Sequence, residues 1–215
     1  MRVTPFPTAG MSWSYAAPTS VGTMTVLPLT IGRFSDMQQV FGEKGVARQC
    51  FCMHWRRPDG GFGDSGDSGD SGDSGDHRDN CERFHDLVAD DHPPGLLGYV
   101  DDAPVGWVQV GPRSDFPTLG RSRLFKPVDQ ADPWSINCFV VRVGHRREGV
   151  AAGLLAAAVE FAAANGAELI EAYPVDGPRQ SAVDYFTGTM GMFTRAGFEE
   201  VARRNETRPV VRLKV

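Results

Sequence analysis

The chain has 215 residues and no apolar run approaching the length of a membrane span. Its first thirty residues hold a single arginine and no long apolar stretch, which excludes a secretory signal and points to a cytoplasmic protein that does not enter a membrane. A basic surplus is also missing. The 22 Lys and Arg face 27 Asp and Glu, for a net charge of -5 at pH 7. General nucleic-acid binding needs the opposite field, so no nucleic-acid partner is expected, while cationic substrates are mildly favoured. Cysteine is scarce: Cys50, Cys52, Cys81 and Cys138 are spaced in no zinc pattern. They read as reduced thiols packed among aromatics, with no metal. Two phosphate-binding loops are absent as well. No Gly-Lys-Ser or Gly-Lys-Thr closes a P-loop, and no three-glycine fingerprint follows a strand. The Gly-Asp-Ser repeat over 63–76 lacks both the closing Glu of an EF-hand loop and the apolar residue interleaved in calcium-binding repeats.

What the chain does have is a core, at 41% hydrophobic residues, and enough length for one domain. Residues 1–24 are rich in Pro, Thr, Ser and Gly and read as a flexible extension, leaving 25–215 as a single domain. The tract at 63–76 cannot bury apolar surface and reads as a disordered acidic insertion spanning about 20 Å. A first strand is expected from Thr25 to Thr30. A helix follows over 34–41, capped by Ser35 or Asp36, and another over 80–89. Residues 96–100 and 105–110 read as a hairpin, 113–132 as a long polar loop, and 134–143 as the central strand. Next come an Ala- and Leu-rich helix over 150–165, stopped by Gly166, a strand over 168–173, a short helix over 190–196, and final strands over 198–201 and 207–215. The strand-helix-strand unit implies parallel pairing with a right-handed crossover. Pro209 restricts the last strand to a start or an edge.

The most informative stretch is Val141-Arg142-Val143-Gly144-His145-Arg146-Arg147-Glu148-Gly149-Val150-Ala151, where the central strand turns into the long helix. A helix N-terminus offers unpaired N–H groups and a partial positive charge, and Gly149 has no Cβ to hold a ligand away. Such a turn suits a phosphate or pyrophosphate. The pattern Arg146-x-x-Gly149-x-Ala151, with Val141 upstream, resembles the acetyl-CoA motif of the GNAT superfamily of N-acetyltransferases. Phe193-Thr194-Arg195-Ala196-Gly197-Phe198 resembles that family's aromatic-x-[Lys/Arg]-x-Gly-Phe segment. The resemblance spans about residues 25–215 and is specific over about 96–200. The chain also resembles a group of actinobacterial-type acetyltransferases of unassigned substrate, in Cys50-x-Cys52-Met53-x-Trp55-Arg56, Pro104-Val105-Gly106-Trp107-Val108 and Thr187-Gly188-Thr189.

The resemblance implies an α/β fold, the GNAT acyl-CoA N-acyltransferase fold, with a mixed central sheet flanked by helices. It implies transfer of an acetyl group from acetyl-CoA to a primary amine of a small molecule, without a metal. A non-catalytic acyl-CoA-binding module and a protein acetyltransferase are the alternatives, with a homodimer left open. The cofactor's pyrophosphate would rest on Arg147, Gly149, Val150, Ala151 and Ala152, with charge from Arg146 and Arg147, one of which reads equally as a surface arginine. The pantetheine arm would pair with the backbone of Phe139, Val140 and Val141. Glu171 is the expected base, with an outward-facing strand residue as the alternative. The family's usual acid is a Tyr at the position of Phe193, a departure that leaves Tyr185, Tyr173 or water to protonate the thiolate. The acceptor site is expected from residues 34–60, the segment after the acidic tract and the loop 113–133, lined by Trp55, Trp107 and Trp134 where these are not core.

Overall fold

The computed structural model describes residues 13–57, 79–89, 93–177 and 186–215. Within these, the strands are β1 (Tyr15–Thr19), β2 (Gly22–Pro28), β3 (Gly95–Val100), β4 (Ala103–Pro112), β5 (Trp134–Val141), β6 (Leu169–Ala172), β7 (Glu199–Arg203) and β8 (Pro209–Lys214). The helices are α1 (Phe34–Phe41), α2 (Val46–Cys50), α3 (Asn80–Ala89), α4 (Pro117–Arg121), α5 (Val150–Ala164) and α6 (Met190–Arg195). The strands form one mixed sheet in the order β1-β2-β3-β4-β5-β6-β8-β7. Only β5 and β6 run parallel, joined through α5 as the strand-helix-strand reading requires. The α/β acyltransferase fold expected from the sequence is the fold observed.

Alternation along the strands sorts side chains onto two covered faces. Leu96, Val108, Ile136 and Ile170 pack against α5, while Leu97 and Trp107 turn to the layer of α1 and α3. α5 is apolar nearly all round and buries Leu154, Leu155, Ala158 and Phe161, as a helix pressed into a sheet does. It sits so close that a Cβ on Gly153 would lie 2.8 Å from both Ala17 and Met24. No described helix is long and apolar enough to cross a membrane.

Three features differ from the sequence reading. β1 lies within the stretch read as an extension: Pro18 signals a loop, but an edge strand tolerates a missing donor. α1 has no side-chain cap. It follows a single turn over Ile31–Arg33, and Asp36 instead accepts a hydrogen bond from the Tyr99 hydroxyl at 2.8 Å. The loop 113–132 also contains α4, begun by Pro117 at its first turn. The 63–76 tract lies outside the described residues.

The sheet opens at one residue. Gln109 pairs with Cys138 and Val110 with Ile136, so Asn137 is an extra residue on β5. A bulge of this kind flips the alternation and bends the strand. It sends Cys138 to the α1–α3 face and Phe139 to the α5 face. Pairing of β5 with β6 stops at Ile136, so beyond the bulge no described strand pairs with that edge of β5.

Candidate active site

The turn between β5 and α5 is shaped by three left-handed residues, Gly144 (φ 103), Arg147 (φ 68) and Gly149 (φ 88). Gly149 is needed for that backbone conformation rather than for closeness, because an added Cβ would meet nothing nearer than Thr19 at 3.7 Å. The turn is braced from several sides. Ser20 N–H donates to Glu148 O at 3.0 Å, His145 N–H to Arg142 O at 3.1 Å, and His145 Nδ1 lies 3.2 Å from Glu148 Oε2. The first bond closed inside α5 runs from Gly153 N–H to Gly149 O at 2.9 Å. The amides of Val150, Ala151 and Ala152 therefore have no partner one turn earlier in the helix, and they project from its positive end.

These amides open into a cavity of about 1520 Å³. The cavity runs from Arg146, Arg147, Gly149, Val150, Ala151 and Ala152 along Phe139, Val140 and Val141 to the bulge. All nine residues expected to hold a CoA-like cofactor thus border one continuous space. α6 supplies Met192 and Arg195, and α1, α2 and the turn at 50–55 form the opposite wall. Arg146 and Arg147 lie at the end near α5, and Lys44 and Arg48 border the same cavity. A polyanion fits that end, and an extended arm fits the channel beside that edge of β5. One expected contact is already taken: the Phe139 N–H donates to Phe186 O at 2.6 Å. Among the described residues no three His, Cys, Asp or Glu side chains are grouped so as to hold a metal ion.

Glu171 and Tyr173, two of the proton-transfer residues read from the sequence, do not border this cavity. Glu171 is 1% exposed. Arg113 binds its Oε1, Arg212 Nε donates to Oε2 at 2.9 Å, and Tyr173 Oη donates to Oε1 at 2.8 Å. Two guanidinium groups and a phenol thus hold one carboxylate, which is what a buried charge requires. The outward-facing alternative does not describe it either, since the Arg113 and Arg212 side chains cover the carboxylate. Tyr173 is fully buried. Burial, then the neighbouring Glu171 charge, pushes its hydroxyl well above the ordinary tyrosine range. Phe193 is core, edge-on to Phe139 and Phe198. Tyr185 lies outside the described residues.

At the end beside the bulge the cavity is bordered by His54, Trp55, Phe186, Cys50, Cys52 and Cys138. His54 is half-buried and edge-on to Trp55, ring centroids 4.7 Å apart. Trp55 Nε1 donates to the carbonyl of the bulge residue Asn137 at 3.1 Å, which fixes the turn to the opening of the sheet. Of the three tryptophans considered for the acceptor site, Trp55 borders the cavity, while Trp107 and Trp134 are core. α3, after the acidic tract, flanks a separate smaller hollow, and the loop 113–133 packs behind Trp55 through Phe125. The position of His54 at the cavity had no local sign in the sequence, where it reads as one polar residue of a cysteine- and aromatic-rich run.

Comparisons agree with this geometry. The model of the acetyltransferase (GNAT) family matches residues 54–192. Among solved structures, the GNAT domain of S. lividans PAT is similar at 14% identity and a TM-score of 0.55, covering 94% of this chain and 97% of its own. A GNAT-family acetyltransferase of Listeria monocytogenes 4b F2365 is similar at 9% identity and a TM-score of 0.56, covering 94% and 100%. Mycobacterium smegmatis RimJ, solved in complex with CoA-disulfide, is similar at 12% identity and a TM-score of 0.52, covering 94% and 87%. No curated protein matches the chain.

Proposed function

The chain belongs to the acetyltransferase (GNAT) family, and from that membership we propose that it transfers an acetyl group from acetyl-CoA to a primary amine of a small cytoplasmic molecule. The observation that carries the reading is the continuity of the cavity from the open amides of α5 to the acyl end beside Asn137. Acetyl-CoA supplies an activated thioester carbonyl. The chain supplies the rest. The α5 amides, with Arg146 and Arg147, bind the pyrophosphate, and the edge of β5 beyond the bulge orients the arm. The Phe186 carbonyl must yield the Phe139 amide, or the arm must pair further along the strand. Aromatic walls at the acyl end exclude water and favour an amine with an apolar body, and the enclosure by α1, α2 and α6 supports a small acceptor over a protein tail.

An amine attacks only when neutral, so a group beside it must take its proton. We assign that role to His54, which faces the acyl end, and make Glu171 a positioning residue acting through Tyr173 and Trp55. The ring centroids of Tyr173 and Trp55 lie 6.5 Å apart. A panel of amines incubated with acetyl-CoA and read by mass gain tests the activity. Acetylation of one or more arylalkylamines is expected. Tight coenzyme A binding without turnover on any amine would instead favour a non-catalytic acyl-CoA-binding module. His54→Gln should lower kcat by roughly 10² with coenzyme A affinity unchanged, the scale of a lost general base.

A further inference from the structure

We propose that Cys52 and Cys138 form a site of oxidative modification, at which a small hydroperoxide entering the cavity joins them in a disulfide that ties the 50–55 turn to β5. The inference stands apart from the acetyl-transfer reading, because it rests on the two sulfurs and on the cavity alone.

The sulfurs lie 3.1 Å apart and share a thiol proton, although 86 positions separate the residues. A disulfide bond is about 2.05 Å long, so the pair needs to close by about 1 Å. Both residues are free thiols, and both border the cavity. They are only 2% and 5% exposed, so a small oxidant reaches them through the cavity rather than from the outer surface. The approach is built in rather than incidental. Phe51 (φ 45) and Cys52 (φ 55) are consecutive left-handed residues without glycine, a conformation that needs support from its surroundings. Gln109 Nε2 supports it by donating to Cys52 O at 3.1 Å. On the other strand, the Asn137 bulge is what turns Cys138 toward the same face.

The two sulfurs differ in role. Trp107 Nε1 donates to Cys52 Sγ at 3.2 Å, which favours negative charge there. The hydrogen bond to Cys52, and then burial, hold the Cys138 thiol well above the ordinary range. The Trp107 hydrogen bond makes Cys52 the attacking sulfur and leaves Cys138 the resolving one. In the first step a bond forms between Cys52 Sγ and the terminal peroxide oxygen, the O–O bond breaks, and the departing oxygen leaves as an alcohol (or water) with the thiol proton. In the second step Cys138 Sγ attacks the sulfenic sulfur, the S–O bond breaks, and water leaves with the Cys138 proton. Two thiols lose two electrons, and one hydroperoxide gains them. Cys50 also borders the cavity, but burial pushes its thiol up to about 12, so it competes poorly.

The test treats the folded full-length chain with hydrogen peroxide, removes the peroxide, unfolds the protein and alkylates it. The expected result is a loss of about 2 Da, two rather than four alkylated cysteines, a Cys52–Cys138 cross-linked peptide, and reversal by dithiothreitol. Cys50→Ser should keep the bond, and Cys52→Ser should abolish it. The wild-type measurement does not depend on either variant folding. Four alkylatable thiols after treatment, a bond that includes Cys50 or Cys81, or a gain of about 32 Da at Cys52 without a bond would each overturn the proposal. The same treatment in guanidinium should scatter the pairing, and an identical Cys52–Cys138 yield there would also count against it, because the native approach of the sulfurs would then be irrelevant.

Discussion

On one side of Asn137, β5 and β6 lie hydrogen-bonded over Trp134–Ile136, and the space beneath them is filled by Glu171 and its partners. On the other side the strands part, and β5 runs along a large cavity with no described strand paired to that edge. The two regions share a strand, yet they use polar groups in opposite ways. In the closed region every charge has a matched partner: the Glu171 carboxylate meets two arginines and a phenol, and Arg212 also reaches Asp129 at 2.6 and 3.1 Å. In the open region, main-chain amides at the start of α5 have no helical partner and face a space bordered by cations. Charge that is fully matched and buried holds other groups in place, whereas polar groups turned toward a cavity can bind a ligand.

The contrast can be broken most severely from the closed side. Arg113→Met leaves Glu171 buried with one guanidinium instead of two, and removing one partner of such a cluster typically costs about 3–5 kcal/mol. Urea unfolding should show that loss, while the folded fraction still binds coenzyme A. A variant that binds weakly but unfolds normally would move Glu171 into the site. On the open side, Gly149→Val forces a β-branched residue to φ 88 and displaces the amides. Losing one charge-assisted hydrogen bond of about 1.5–3 kcal/mol corresponds to a drop in affinity of about tenfold or more. Titration calorimetry should show it, with a stability change of about 1–2 kcal/mol.

Alkaline pH gives a smaller effect. Tyr173 holds its proton well above 10 in the folded chain, while the unfolded chain releases it near 10. This contribution to stability is complete below 10 and is lost as pH rises toward the folded value. Tyr173→Phe should flatten the fall in melting temperature above pH 10, even though it lowers stability at pH 7. Asp129→Asn should have the smallest effect. Asp129 is at the surface, and its hydrogen bond with Arg212 holds its carboxyl below the ordinary range, so its contribution is present at neutral pH and lost as pH falls below about 3.8. The variant should differ from wild type mainly in the midpoint of acid unfolding.

The two regions also differ in how well they can be read from sequence. The turn from Val141 to Ala151 is contiguous, so Gly149, the arginines and the apolar helix after them announce the strand, the turn and the helix together. The closed region is built from distant parts. Arg113 lies 58 positions from Glu171 and Arg212 lies 41 positions away, and nothing near Glu171 signals either. Glu171 reads as a base by resemblance to the family, and the sequence beside it gives no sign that two arginines bind its carboxylate. The bulge at Asn137 depends on the register against Gln109 and Val110, which local propensity does not encode. β1 was obscured by Pro18, and α2, with only five residues, offers too few turns for a periodic signal.

The central claim is that the open amides of α5 hold the diphosphate of the coenzyme. A titration of the nitrogen-15-labelled chain with coenzyme A, followed by amide NMR, tests it at the atoms concerned. The account predicts saturable shifts at Gly149, Val150, Ala151 and Ala152, with the amides of Glu171 and Tyr173 little changed. Saturable shifts centred on Glu171 and Tyr173 that leave the α5 turn untouched, or no saturable shift at all, would contradict it.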